Sequence, residues 1–388
     1  IYTDTVLYIF VANHKFNAIK SVAIDEEFRN NILKFRRLLS EPVSVNDRRL
    51  KFAEYLATGH YLYKKLILPV REMLITRNLV ISPDNILTYI PFETLLTTDK
   101  SRDDILYRKL DFLLNDFEVS YTYSATMYSA TQNGSKSFRN RVIAFAPVYR
   151  GMIDVDSVLN SRQIRQDTLF DLPYARDEAS FAFDAFGGEL YLNDNARESA
   201  YKKNATRFPV IHLAMHTIIN DQSPGYSRLI FNNESDNEED GMLNTYEIYN
   251  IPLTARMVVV SSCNTGSGQM RAGEGVMSLA RGFINAGSKS VVMSLWEVHD
   301  LSGTEVVKLF YRNLSTGMSK SSALRKAKLD FLENSAQYQS HPFYWSTLVL
   351  YGNTESLFFD RTIIIGTILL LIAAMALVIK AYYYFRSR

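Results

Sequence analysis

From Arg141 onward the sequence alternates short apolar runs with amphipathic stretches, an order that few folds accept. The runs are VIAFAP from Val142, ELYLN from Glu189, VIHLAMH from Val210, MVVVSSC from Met257, SVVMSLW from Ser290 and STLVLYG from Ser346. Helical spacing fills 174–186, 196–207 and 276–286, and two further amphipathic helices, 302–314 and 321–332, precede the last run. Continuous Val, Ile and Leu mark strands buried on both faces, and the connections are long enough to be helical crossovers. The pattern therefore predicts an α/β fold with a mostly parallel sheet of about six strands flanked by helices.

The earlier residues are organised differently. VLYIFVA and FNAIKSVAI alternate around Asn13-His14-Lys15 as a hairpin, 26–39 and 50–68 have helical spacing, and NLVISPDNILTYIPF reads as two short strands about Ser82-Pro83-Asp84-Asn85. Residues 1–135 are thus expected to form an N-terminal α/β unit and 136–358 the main domain, with the boundary in the polar stretch 131–140. No internal repeat is visible. At 388 residues and 47% hydrophobic content the chain can fill two ordinary cores. Lys plus Arg at 43 against Asp plus Glu at 41 leaves a net charge of +2, so no nucleic-acid partner is expected.

Near the end, Thr362 to Ile379 carries no charge and is bracketed by Arg361 and Lys380. Such a run spans roughly 27 Å as a helix, close to the hydrocarbon core of a bilayer. With the aromatics of Tyr382 to Phe385, it predicts a transmembrane helix over 362–383 and a short basic tail over 384–388. Lys380, Arg386 and Arg388 place that tail in the cytoplasm by the positive-inside rule, and the chain is expected to be a single-pass membrane protein. It starts at Ile1 instead of Met, so removal of upstream sequence is expected.

The chemistry concentrates on one residue. Cys263 is the only cysteine, which excludes an intrachain disulfide and a multi-cysteine zinc site and leaves packing or reactivity. It ends one apolar run as His216 ends another, and the carboxyl ends of parallel strands are where ligands gather. Neutral imidazole can take a thiol proton, so His216 and Cys263 are candidates for general base and nucleophile. His212 shares a strand face with His216 but sits mid-strand, and is expected to be a buried, hydrogen-bonded histidine. The sequence after Cys263, Asn264-Thr265-Gly266-Ser267-Gly268, suits an oxyanion site built from the backbone amides of Cys263 and of Thr217, just past His216.

Three other segments compete for attention. Gly268 to Glu274 imitates a phosphate loop, but Glu274 stands where lysine is required. Asp300 could hold a basic substrate side chain or could cap the helix from Leu301. Asp236, Glu238, Asp240, Gly241 and Glu247 fall at calcium-loop spacing, yet the ligand pattern is poor and Asn244 with Glu247 makes a capping box, so no metal or other cofactor is expected.

VIHLAMHT, DGMLNTYEIYNIPL, VVVSSCNTG, GEGVMSLARGFINAGSKSVVMSLW, EVHD and HPFYWSTLVLYG together resemble the CHAT family, caspase-like domains often found with tetratricopeptide repeats and related to separases. Residues 1 to about 125 also resemble the N-terminal extension of such domains. The resemblance implies a caspase-like sheet whose last strand is antiparallel, a His216/Cys263 dyad, and a role for Asp300 facing the residue before the scissile bond, with a basic preference. It further implies upstream repeats that recruit an activating partner. One departure stands out, because Thr217 occupies the position where members commonly have glycine. A β-branched residue would be strained there if φ had to be positive. Two functions are therefore expected to compete: a membrane-anchored cysteine endopeptidase acting on a protein or peptide substrate through an acyl-enzyme, and a degenerate module that binds proteins without chemistry.

Overall fold

The computed structural model describes residues 1–358 apart from 45, 100–104, 133–139, 150–168, 170, 221, 235, 262–274 and 297–299, together with 375, 377 and 386. The chain opens with an antiparallel hairpin of β1 (Val6–Ala12) and β2 (Asn17–Ala23). Asn13 makes the turn, its Oδ1 accepting from the N–H groups of Lys15 and Phe16 at 2.9 and 3.1 Å. Helix α1 (Glu26–Ser40) starts where Asp25 caps it, Oδ1 accepting from the Phe28 N–H at 2.9 Å. Phe28, Ile32, Phe35 and Leu39 recur at helical spacing as its buried stripe. That stripe packs on α2 (Arg48–Leu66), where the rings of Phe35 and Tyr55 stack 5.3 Å apart. Each such buried side chain contributes about 1.5–3 kcal/mol.

Next come β3 (Asn78–Ile81), the one-turn helix α3 (Leu113–Asp116), β4 (Glu118–Tyr121) and α4 (Ala125–Thr131). The second strand expected after Asn85 is instead a turn of 3₁₀ helix over Asn85–Tyr89. Asn85 has φ 53°, and β3 takes β4 as a parallel partner in place of a hairpin mate.

The alternating half follows as β5 (Val142–Ala146), α5 (Ala175–Phe186), β6 (Gly188–Leu192), α6 (Glu198–Asn204) and β7 (Val210–Ala214). Gly187 and Gly188 turn α5 into β6 at φ 67° and 141°, and a Cβ on Gly188 would lie 1.9 Å from the Val142 carbonyl oxygen. Three short strands, β8 (Thr217–Ile218), β9 (Arg228–Ile230) and β10 (Met242–Asn244), form a separate antiparallel sheet that the apolar pattern did not predict. The one-turn α7 (Thr245–Ile248) leads to β11 (Met257–Ser261), α8 (Gly275–Asn285), β12 (Ser290–Ser294), α9 (Asp300–Ser315), α10 (Lys320–Asn334), one-turn α11 (Pro342–Trp345) and β13 (Leu348–Gly352).

One eight-stranded sheet organises the whole, in the order β3-β4-β13-β12-β11-β7-β5-β6. Six of its strands are the six apolar runs; β13 lies antiparallel to β12, as the resemblance implies. The N-terminal unit supplies the other two, since β4 pairs with β13 and β3 with β4. A buried ion pair locks that junction: Lys328 Nζ lies 2.5 Å from Glu93 Oε1, and the Tyr121 hydroxyl donates to Glu93 Oε2 at 2.6 Å while accepting from the Phe92 N–H at 2.7 Å. Removing one partner of such a pair costs about 3–5 kcal/mol, because the other charge stays buried.

One expectation is corrected. Among the described residues no helix is long and apolar enough to cross a membrane. The run 362–379 lies outside them apart from Met375 and Leu377. An uncharged apolar run meets the hydropathy criterion without thereby forming a continuous spanning helix. The single-pass membrane assignment, with its helix over 362–383 and cytoplasmic tail, is therefore withdrawn.

Candidate functional site

Strands β7 and β11 are neighbours in parallel register, ending on the pair Ala214 and Ser261. The Met215 N–H donates to the Ser261 carbonyl at 3.3 Å, continuing the ladder one step. His216 follows Ala214 by two residues, and Cys263 follows Ser261 by two. Cys263 itself, with 262–274, lies outside the described residues.

His216 is buried and fixed by a residue that sequence reading missed. The ring of Tyr149, from the loop after β5, packs against the imidazole with centroids 4.7 Å apart. Its hydroxyl accepts from the His216 N–H at 3.1 Å and donates to the Ile230 carbonyl at 2.7 Å. The reverse bond of that residue pair is direct, with the Ile230 N–H donating to the His216 carbonyl at 3.0 Å. Tyr149 thus inserts its hydroxyl where an antiparallel ladder would otherwise close, and spreads the two strands beside the imidazole. Nothing local in Pro147-Val148-Tyr149 signals this, because the partners are 67 and 81 residues away.

Thr217 is the next residue and pairs with Leu229. Hydrogen-bonded and non-hydrogen-bonded pairs alternate in antiparallel ladders, so the Thr217 N–H points away from β9. Among the described residues only Asn85 and Asn193, besides glycines, have positive φ. Thr217 is therefore extended and carries no left-handed strain, and the β-branched side chain suits a strand.

His212 lies four residues before His216, fully buried in β7. Its Nε2 is 3.2 Å from Glu178 Oε1, and its Nδ1 is 3.1 Å from the Tyr311 hydroxyl. Asp300 is the first residue of α9. The approach to it is held by the N-terminal unit: Arg36 of α1 donates from Nη2 to the Leu295 carbonyl at 2.9 Å, with its guanidinium 5.0 Å from the Trp296 ring and 5.6 Å from that of Tyr89. Burial lowers the Arg36 pKa to about 10, which leaves it charged at neutral pH. Trp296 is held again by Thr347, whose hydroxyl donates to its carbonyl at 3.2 Å.

The family model of the CHAT domain matches residues 56–353, more than half of the chain. The chain belongs to the CHAT domain family. The CHAT match begins inside α2 and ends just past β13, so it takes in most of the N-terminal unit. Tetratricopeptide repeat protein 28 of Homo sapiens is 24% identical over 217 residues, covering 48% of this chain and 9% of that protein. Its Mus musculus counterpart is 29% identical over 116 residues, covering 30% and 5%. The chain spans under a tenth of the length of these relatives. Among solved structures, the Arg-specific cysteine proteinase gingipain R aligns at TM-score 0.43 and 8% identity, over 86% of this chain and 76% of that one. The separase of the Saccharomyces cerevisiae separase–securin complex aligns at TM-score 0.44 and 14% identity, over 86% and 22%.

The acidic segment of this CHAT domain is built for local structure. Asp236 accepts from the N–H groups of Ser199 and Glu238, and Asp240 from that of Met242. Glu247 accepts from the Asn244 N–H at 3.0 Å as half of the capping box. Glu198, Glu239 and Glu247 bring carboxylate oxygens within 4.8 Å of one another. The Lys202 ammonium lies among them at 2.8, 2.7 and 2.8 Å, so the chain supplies its own cation there. Burial opposes the Lys202 charge, and the three carboxylate hydrogen bonds outweigh it and raise the pKa.

Proposed function

We propose that this CHAT domain is a cysteine endopeptidase that cleaves a protein or peptide substrate through a His216/Cys263 dyad. The observation that carries the reading is the common register: both residues stand two positions beyond a paired Ala214 and Ser261 on adjacent parallel strands. Neighbouring strands are roughly 4.8 Å apart, within reach of an imidazole and a thiol. His216 takes the Cys263 proton, and the thiolate attacks the scissile carbonyl carbon. The amides of Thr217 and Cys263 hold the resulting oxyanion. The imidazolium then gives its proton to the leaving amine as the C–N bond breaks, and water hydrolyses the thioester acyl-enzyme to restore the thiol. Asp300 holds a basic side chain just before the scissile bond.

Residues 1–135 act as an extension that braces the site, and 136–358 carry the chemistry. An upstream repeat region or a partner protein activates the domain, a role consistent with relatives named for tetratricopeptide repeats. The test is labelling by a thiol-reactive probe near neutral pH together with cleavage of a peptide library. An activated thiolate labels fast, and both Cys263→Ala and His216→Ala abolish cleavage. Retained cleavage in either variant refutes the dyad. A wild-type domain that labels slowly and cleaves nothing is a protein-binding module of the same fold.

A further inference from the structure

Glu178 stands in the first turn of α5, only 3% exposed, and the chemistry above does not use it. Its carboxylate accepts two hydrogen bonds and faces a histidine, each from a different element. Oε2 accepts from the Ser261 hydroxyl of β11 at 3.1 Å and from the Thr304 hydroxyl of α9 at 3.4 Å. Oε1 lies 3.2 Å from His212 Nε2 of β7, and the far side of that ring meets Tyr311 at 3.1 Å. Tyr311 and Thr304 lie two turns apart on the same side of α9. One buried acid therefore ties α5, β7, β11 and α9 together.

The position of its two hydroxyl partners is informative. Ser261 is the last residue of β11, two before Cys263, and Thr304 is one turn into α9, four after Asp300. Apolar side chains could pack these four elements together at no loss of stability, since burying an acid costs desolvation that its partners only offset. Hydrogen bonds add what apolar packing lacks, a defined distance and direction between the elements they join. The two elements joined here are the ones that carry the proposed nucleophile and the proposed specificity acid.

We propose that Glu178 is a positioning residue that sets the Cys263 side of the site against the Asp300 side, an assignment that rests on the reading of those two residues above. Glu178→Met keeps the length of the side chain but has no oxygen to accept from either hydroxyl. Ser261→Ala and Thr304→Val each cut one arm. The readouts are hydrogen exchange of segments 259–266 and 297–304 in the full chain, iodoacetamide alkylation of Cys263, and the kcat and KM of peptides with Lys or Ala before the scissile bond. Glu178→Met should speed exchange in both segments about tenfold, slow alkylation and raise KM for the Lys peptide. Ser261→Ala should move only the first segment and alkylation, and Thr304→Val only the second segment and the Lys-peptide KM.

A Glu178→Met variant that melts lower but keeps wild-type exchange in both segments and wild-type alkylation overturns the proposal. If that variant does not fold, the two single-arm variants decide, and identical profiles for them overturn it equally. If wild-type Cys263 is sluggish and nothing is cleaved, the peptidase reading fails separately, and the exchange data still report whether Glu178 holds both segments.

Discussion

Tyr149→Phe removes one oxygen atom and keeps the ring that packs on His216, so its effect isolates the inserted hydroxyl. Two hydrogen bonds disappear, from the His216 N–H at 3.1 Å and to the Ile230 carbonyl at 2.7 Å. Both main-chain groups are buried, and a buried group left without a partner costs about 1–3 kcal/mol. The strands can recover part of this by closing the gap, because the Ile230 N–H already donates to the His216 carbonyl at 3.0 Å. A net loss of ~2 kcal/mol follows, and because a chain of 388 residues shifts by only about 1–1.5 °C per kcal/mol, Tm falls by ~2–3 °C. Either response moves the His216 backbone, through closure or through slack. Displacement of a catalytic group by about 1 Å can cost ~100-fold in rate, so alkylation of Cys263 at neutral pH should slow by ten- to a hundredfold. Thermal unfolding gives the first quantity. Iodoacetamide labelling followed by mass spectrometry gives the second without ambiguity, because the chain has one cysteine. A variant that melts with the wild type and alkylates at the wild-type rate refutes the bridging role.

Two further predictions concern charge. Burial raises the Glu198 pKa to about 7 against the pull of Lys202, with Glu247 and Asp240 adding to the rise. A carboxyl raised above its unfolded value of 4.5 stabilises the fold fully below that pH, and the contribution is lost as pH climbs through about 7. At 1.36 kcal/mol per unit the full effect would be roughly 3 kcal/mol, reduced to ~1–2 by the half-open Lys202 cluster. Glu198→Gln should therefore flatten urea-unfolding stability between pH 5 and pH 8, and an unchanged slope counts against it. Arg36→Met keeps the aliphatic stem but strips the Leu295 carbonyl of its donor and Trp296 of its cation. Tm should fall by a few degrees, and tryptophan emission should shift to the red, since Trp296 is one of only two tryptophans and Trp345 stays fully buried. Unshifted emission would show that α1 does not brace the segment before Asp300.

What could be read in advance follows from how far each feature's cause lies from it in the chain. Val142–Ala146, Val210–Ala214 and Met257–Ser261 announce themselves because strands covered on both faces must be apolar at nearly every position. Strands β3 and β4 have four residues each; β3 pairs with β4 about forty residues on and β4 with β13 more than 200 residues later, so neither NLVI nor EVSY could disclose its partner. Strands β8 to β10 have two or three residues each, too few for a period-two alternation to repeat. The site divides the same way. His216 was visible as the end of an apolar run, whereas Tyr149 and Glu178 look locally like a loop tyrosine and a first-turn helix acid. Their roles exist only across the folded distance to Ile230, Ser261 and Thr304. Thr217 shows why that distance matters for function. In the sequence it is a β-branched residue at a position where glycine is common, which suggests a damaged oxyanion site. In the fold the neighbouring strand β9 holds it extended, so the β-branched side chain costs no backbone strain.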